Sequence, residues 1–218
     1  MFINIHTHQL AIDQHNKLEI YNQYPWNLIE NNAYHSIGIH PVFIHQSSID
    51  KDLETIKHQI QQEKCLAIGE IGLDKLTDVD FELQQNVFRL QLEIAQQHQI
   101  PVIIHCVRAY QEIFQIRKQM KITIPFIFHG FNKNQHLLKQ IIDNNCIPSF
   151  GKNLLQNPNL QTIFANLFDK PFLLENDGSQ IPIEEIYLKA AEIKNCSVEE
   201  LQDTIQNYFY RIFKQNNE

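Results

Sequence analysis

Residues 101–129, PVIIHCVRAYQEIFQIRKQMKITIPFIFH, decide the fold of this chain. Val102–His105 is a short apolar run rich in β-branched residues, and Phe126–His129 is a second short apolar run. Between them, Ala109–Met120 carries its apolar residues near the period of an α-helix. A strand, a helix and another strand in this order predict a repeated βα unit with parallel strands.

The same alternation runs through the rest of the chain. We predict strands at Phe2–His6, Tyr34–Gly38, Leu66–Gly69, Val102–His105, Phe126–His129, Cys146–Ser149 and Phe172–Leu174, with Leu18–Asn22 as an eighth strand or an edge piece. We predict helices at Ile49–Glu63, Asp80–Gln99, Ala109–Met120, Asn134–Asn144, Ile183–Lys194 and Val198–Phe213. This pattern predicts an α/β fold, a TIM-like (β/α) barrel of seven or eight parallel strands. An open doubly wound sheet is the alternative, although no GxGxxG motif follows the first strand.

Length and charge limit the classes of function. The 218 residues fit a single domain over residues 1–218, and 43% hydrophobic with 20% charged residues is ordinary globular composition. Net charge is −7, from 18 basic and 25 acidic residues, which excludes binding of nucleic acid by bulk positive charge. Attraction for a phosphate must therefore be local, from metal ions or a few basic side chains.

Nothing in the sequence predicts a membrane or a secretory location. No stretch approaches the roughly 20 apolar residues of a membrane span, and Met1–Asn4 has no basic segment of the signal-peptide type. The cysteines are widely spaced, which predicts free thiols; they are Cys65, Cys106, Cys146 and Cys196. We therefore expect a cytoplasmic protein with no membrane contact and no obligate protein partner.

Ionisable side chains follow the predicted strands. They are His6, His8, Glu70, His105, His129 and Asp177. Taken singly, each could be a turn or capping residue. In a parallel barrel, however, the carboxyl ends of all strands open on one face, so these six side chains are predicted to converge. Imidazoles and carboxylates suit divalent metals, and this set is too large for one tetrahedral zinc, which predicts two ions.

The order of short motifs resembles the TatD-type metal-dependent deoxyribonucleases across nearly the whole chain. The matching motifs are His6-Thr7-His8, GIHP at 38–41, AIGEIGLD at 67–74, PVIIH at 101–105, FHGF at 128–131 and LEND at 174–177. The resemblance implies an amidohydrolase-like metal-dependent hydrolase barrel with two divalent ions, Mg²⁺, Mn²⁺ or Zn²⁺. It also implies DNA as the substrate, cleaved at its ends or in single strands.

The resemblance also implies roles for individual residues. His6, His8 and Asp177 would hold one metal, and His105 and His129 the other, with Glu70 bridging both. The catalytic candidates are Glu70 and Asp177, because a carboxylate at the last strand can act as the general base that takes the proton of the attacking water. Two further candidates, His40 and Arg108, would bind substrate phosphate, and Asp74 would orient a ligand; a turn residue fixed by Pro41 is the alternative for His40.

Three departures from the family pattern affect these expectations. Asn4 stands where relatives tend to carry Asp, which predicts a missing charge and less firmly oriented histidines. Arg108 comes three residues after His105, whereas the family often has Arg two residues after. The loop after Asp177 is shorter than is common in the family, which affects the substrate class more than metal binding.

Two other classes of function remain open at this stage. One is a metal-dependent phosphodiesterase or amidohydrolase that acts on a small molecule. Many amidohydrolases bridge their metals with a modified lysine, whereas this chain has Glu70 at the corresponding strand. The other is a non-catalytic barrel that binds nucleic acid or a protein through the same face.

Overall fold

The computed structural model describes residues 1–9, 16–29, 33–167 and 170–213. Eight strands in the described residues form one sheet in chain order: β1 (Phe2–Thr7), β2 (Lys17–Gln23), β3 (His35–Ile37), β4 (Cys65–Asp74), β5 (Val102–Val107), β6 (Phe126–Phe128), β7 (Ile147–Phe150) and β8 (Leu173–Leu174). The pairs β1–β2, β3–β4, β4–β5 and β7–β8 are parallel. Sequential parallel strands separated by helices follow the order of a (β/α) barrel, as the sequence predicts.

Helices follow most of the strands. They are α1 (Ile49–Gln59), α2 (Phe81–Gln97), α3 (Tyr110–Gln119), α4 (Gln135–Asp143), α5 (Asn153–Gln156), α6 (Pro158–Ala165), α7 (Ile183–Lys194) and α8 (Val198–Phe213), with a short 3-10 helix at Pro41–Phe43. Side-chain caps fix where some of them begin, because Asp80 Oδ1 accepts from the Leu83 amide and Asn134 Oδ1 from the Leu137 amide. Within the described residues, no helix is long and apolar enough to cross a membrane.

Strand β4 is longer than the sequence predicts. The prediction ended it at Gly69, but it continues to Asp74, so Glu70 lies inside the strand. Its glycines allow close approach to β5: a Cβ on Gly69 would lie 2.7 Å from Ile103 Cβ, and one on Gly72 only 1.9 Å from the His105 carbonyl oxygen. These glycines therefore permit β4 to pair closely with β5.

Helices α5 and α6 lie in a segment for which the sequence predicted no helix. Asn157 begins α6, because its Oδ1 accepts from the amides of Asn159 and Leu160. Pro158 occupies the first helical position, where its missing N–H costs nothing. The Asn-Pro-Asn sequence therefore begins a helix here, although it resembles a loop.

The chain divides into two compact units, Met1–Tyr21 with Phe128–Glu218, and Asn22–Ile127. In the first unit, the Tyr187 hydroxyl donates to the Ile3 carbonyl and accepts from the Ile3 amide, which joins α7 to β1. In the second unit, α2 packs on the sheet through apolar side chains such as Phe88, whose ring lies 6.4 Å from that of Phe126. A single domain over residues 1–218 remains a prediction.

Candidate metal centre

In the first unit, two histidines at the end of β1 face an aspartate that follows β8. His6 Nε2 lies 3.6 Å and His8 Nε2 3.7 Å from Asp177 Oδ1. One ligand atom from each of the three residues falls within 4.8 Å of the others. His6 is fully buried, whereas the side chains of His8 and Asp177 are about one-third exposed. The group therefore combines a fixed inner ligand with an open side that solvent can reach.

Backbone contacts bring Asp177 to β1. Its amide donates to the His6 carbonyl at 3.2 Å, and its φ of 51° lies in the left-handed region. Gly178 follows with a φ of 64°, and a Cβ at this position would lie 2.8 Å from His8 Cβ. The short loop can close against the histidines because a glycine stands at the point of closest approach.

Asn4 also ties β1 to this loop. It is fully buried, and its Nδ2 donates to Glu19 Oε1 at 3.0 Å and to Asn176 Oδ1 at 3.1 Å. Its Oδ1 accepts from the Asn176 amide at 3.1 Å. The sequence predicted a missing charge here, but the structure places the Glu19 carboxylate beside the Asn4 amide. Asn4 connects the strand that carries His6 with the residue before Asp177.

A buried carboxylate that is not among the sequence-predicted candidates lies beside His129. Glu175 is fully buried, its Oε1 lies 3.4 Å from His129 Nδ1, and it accepts from the Gly130 amide at 2.6 Å. Burial by itself would raise the pKa of Glu175, but the contacts with His129 and Ser149 and the charges of His129 and His6 together outweigh it, so the pKa is lowered. The His129 ring lies 4.7 Å from the His6 ring, centre to centre. Glu175 directly follows β8, the same signal that identified the other candidates.

In the second unit, His105 lies between two carboxylates. Its Nδ1 is 2.7 Å from Glu70 Oε1 and its Nε2 is 3.0 Å from Asp74 Oδ2. A proton on Nε2 that is donated to Asp74 leaves the lone pair of Nδ1 on the Glu70 side, where a metal can use it. Asp74 thus contacts His105, a candidate ligand, and its role in orienting that ligand remains a prediction.

Neighbouring amide side chains hold the backbone at Glu70 and at Asp74. The Glu70 amide donates to Asn22 Oδ1 at 2.6 Å. Gln84 of α2 accepts from the Asp74 amide at 2.8 Å and donates to the Asp74 carbonyl at 3.0 Å. Since Gln84 is almost completely buried, these bonds are shielded from water and restrain the backbone at Asp74.

His40 is positioned as a hydrogen-bond donor. Its Nδ1 accepts from the Val42 amide at 3.2 Å, so the neutral ring carries its proton on Nε2, 3.3 Å from Glu70 Oε1. A nitrogen that holds a proton suits a phosphate oxygen better than a metal ion. Arg108 is exposed directly after β5, with a φ of 56°, and its contact with substrate remains a prediction.

The donor sets fit divalent metals. His6, His8 and Asp177 could hold an ion in the first unit. In the second unit, Glu70 and His105 could contribute to holding another, with His40 close by as a hydrogen-bond donor. Imidazole nitrogen and carboxylate oxygen are common ligands of zinc and manganese. The predicted pairing of His129 with His105, and the bridging role of Glu70, join residues of different units and remain predictions.

Groups of histidines and carboxylates that could hold metal ions, placed after parallel strands, are typical of metal-dependent hydrolases with a (β/α) barrel. The chain belongs to the family described as TatD related DNase, whose sequence profile matches residues 4–214. The resemblance seen in the sequence motifs is thereby confirmed.

Curated relatives carry names of the same class. An uncharacterized metal-dependent hydrolase of Methanocaldococcus jannaschii is 27% identical over 84% of this chain and 76% of its own length. YabD of Bacillus subtilis, also named an uncharacterized metal-dependent hydrolase, is 30% identical over 84% of this chain and 78% of its own. A relative in Pectobacterium carotovorum, 29% identical over 57% of this chain and 45% of its own, is named 3'-5' ssDNA/RNA exonuclease TatD.

Solved structures confirm the fold class. The TatD homologue YjjV of Escherichia coli matches with a TM-score of 0.80 at 22% identity, over 98% of both chains. A TatD-family hydrolase of Entamoeba histolytica matches with a TM-score of 0.77 at 17% identity, over 97% of both chains. The TIM-like barrel prediction is confirmed, and the alternative of an open doubly wound sheet is wrong.

Proposed function

We propose that this TatD-family hydrolase is a deoxyribonuclease that cleaves phosphodiester bonds of DNA at ends or in single strands. The observation that carries the proposal is the group of His6, His8 and Asp177, a metal-ligand set with one open side. The exonuclease name of the Pectobacterium relative supports a nucleic-acid substrate.

Two divalent ions fit the proposal. One would be held by His6, His8 and Asp177, and the second by Glu70 and His105, with His129 added by the family resemblance. When bound, such ions lower the pKa of a coordinated water to about 7 and polarise a phosphoryl oxygen. Mg²⁺, Mn²⁺ and Zn²⁺ are all compatible with these ligand types.

The side chains of the protein then supply the proton transfers and the orientation. Asp177 takes the proton of the attacking water through a carboxylate oxygen, as a general base on the open side of its group. His40 donates its Nε2 proton in a hydrogen bond to a phosphate oxygen of the substrate. Glu175 and Asp74 hold the rings of His129 and His105 in one orientation, which keeps the ligand geometry constant during the reaction.

A small-molecule phosphodiester or amide is the second candidate substrate. The net charge of −7 does not attract a polyanion at long range, and the loop after Asp177 is short. Against an amide substrate, Glu70 stands where many amidohydrolases use a modified lysine, and its carboxylate faces His105.

The test of the proposed function is a cleavage assay with end-labelled single-stranded DNA, duplex DNA and RNA. We expect chelation to abolish DNA cleavage and added Mn²⁺ or Mg²⁺ to restore it, because the ligand groups lose their function without an ion. A small chromogenic phosphodiester and an amide are assayed in parallel. Turnover of either small substrate without any cleavage of DNA would contradict the proposal, as would DNA cleavage that survives chelation.

A further inference from the structure

Three aromatic side chains form a surface cluster in the second unit. Trp26 and Phe43 are 47% and 42% exposed, and Tyr24 packs against both. Exposed large apolar groups that lie side by side commonly mark a binding site, because leaving them in water costs free energy. We call Tyr24, Trp26 and Phe43 the aromatic platform.

The rings of the platform have a fixed mutual geometry. Tyr24 and Trp26 are stacked with centres 5.2 Å apart and an interplanar angle of 12°. Phe43 meets Trp26 edge-on at 6.1 Å and Tyr24 edge-on at 5.5 Å. A turn in which the Asn27 amide donates to the Tyr24 carbonyl at 3.0 Å supports Trp26 from its own backbone. The platform is therefore largely preformed, so little entropy is lost when a flat ligand stacks on it.

The platform is continuous with His40. The Phe43 ring lies 5.5 Å from the His40 ring, and the Phe43 amide donates to the His40 carbonyl at 3.0 Å in the 3-10 helix. His40 in turn lies beside Glu70 and His105. If a substrate phosphate binds at His40 Nε2, the nucleoside next to that phosphate can therefore reach the rings of Phe43 and Trp26.

A cavity of about 390 Å³ opens beside two rings of the platform. It is lined by Trp26, Phe43, His45, Ser47, Ser48, Lys51 and Asp52. The volume is in the range of small-ligand pockets. Asp52 is buried and accepts a hydrogen bond from the Ser48 hydroxyl at 2.6 Å, whereas Lys51 is exposed and can approach a phosphate. The lining combines aromatic rings with hydroxyl groups and an ammonium group, a combination that suits a nucleotide.

We propose that Trp26 and Phe43 stack a nucleobase of single-stranded nucleic acid next to the phosphate bound at His40. This inference rests on the proposed function, because it deepens the substrate preference of the same enzyme. Every base has a π-face, so stacking does not depend on sequence. In a duplex, neighbouring bases already cover these faces, so the platform selects single strands and frayed ends.

Tryptophan fluorescence tests the stacking directly, because Trp26 is the one tryptophan of the chain. The Mg²⁺-loaded protein is titrated with a cleavage-resistant phosphorothioate single-stranded oligonucleotide and with an abasic phosphorothioate strand of equal length and charge. We expect the base-containing strand to quench Trp26, the abasic strand to leave its emission unchanged, and Phe43→Ala to weaken the quenching titration. Equal responses to both strands, or no response to either, would overturn the proposal.

Kinetics separate this proposal from the proposed function. With Mn²⁺ present, Trp26→Ala and Phe43→Ala should each raise KM for single-stranded DNA by roughly 5- to 100-fold with kcat unchanged, the loss expected for one stacked base. The matched control Tyr210→Ala removes another exposed ring, on α8, and should leave KM unchanged.

An unchanged KM in the platform variants of an active nuclease would overturn only the stacking proposal. Absence of nuclease activity in the wild type would overturn the proposed function, while the fluorescence titration would still measure stacking. A dimer that dissociates on Phe43→Ala would assign the rings to a second copy and also overturn the stacking.

Discussion

Asp177→Asn should lower kcat for DNA cleavage by about 10³- to 10⁴-fold, the upper part of the range for loss of a general base. The amide keeps the shape of the carboxylate, so the loop and the backbone bond to His6 can remain in place. The amide cannot take a proton from water. The substitution also removes the negative charge of Asp177 Oδ1, which lies 3.6 Å from His6 Nε2 and 3.7 Å from His8 Nε2. The measurement is steady-state cleavage of end-labelled single-stranded DNA at saturating Mn²⁺.

Asp143→Asn is the matched control for this substitution. Asp143 lies on α4, is 56% exposed and pairs with Lys139 at 2.5 Å, so its replacement should change kcat by no more than about twofold. Circular dichroism and thermal unfolding of both variants establish that the fold is retained. An Asp177→Asn enzyme with wild-type kcat would remove Asp177 as the base.

Gly72→Ala should lower the free energy of unfolding by more than about 4 kcal/mol, a loss reserved for severe packing conflicts. The added Cβ would lie 1.9 Å from the His105 carbonyl oxygen, and the φ of 150° is unfavourable for any residue with a side chain. Relief of this conflict must push β4 away from β5, which weakens the pairing of Gly72 with His105 in the sheet. Denaturant unfolding followed by circular dichroism measures the loss.

Gly130→Ala is the control for Gly72→Ala, because it measures the cost of a positive φ in the absence of a steric clash. Gly130 also has a positive φ, 59°, but the nearest atom to an added Cβ is Glu175 Oε1 at 3.8 Å, an ordinary contact. Its replacement should cost only about 1–2 kcal/mol, the penalty of the left-handed conformation alone. Equal losses for the two alanine variants would contradict the role of Gly72 in the close approach of the two strands.

The regular elements of this fold are largely predictable from local patterns. The helices at Ile183–Lys194 and Val198–Phe213 have the predicted bounds, because apolar residues at helical spacing mark the buried face directly. The strand ends were less predictable. The sequence prediction ended β4 at Gly69, whereas the strand continues to Asp74, where Gly72 lets its backbone pass close to that of His105.

The sequence indicates which residues are candidate metal ligands, but it does not indicate which residues contact and support them. An ionisable residue after an apolar run is a local signal, which identified His6, His105 and Asp177. The partner of a ligand comes from a distant part of the chain, as Asn22 does for the Glu70 amide. Local sequence also cannot distinguish a buried glutamine such as Gln84 from the many exposed glutamines on the helices.

The most direct test of the metal centre is anomalous diffraction from crystals of the zinc- or manganese-loaded protein. We expect one peak about 2.0–2.2 Å from ligand atoms of His6, His8 and Asp177, and a second at the same distance from Glu70 and His105. We also expect His40 Nε2 to stay outside the ligand set, because Nδ1 accepts from the Val42 amide and the proton of the neutral ring therefore lies on Nε2. Saturated crystals with no peak at either group would contradict the assignment of this chain's histidines and carboxylates as a metal centre.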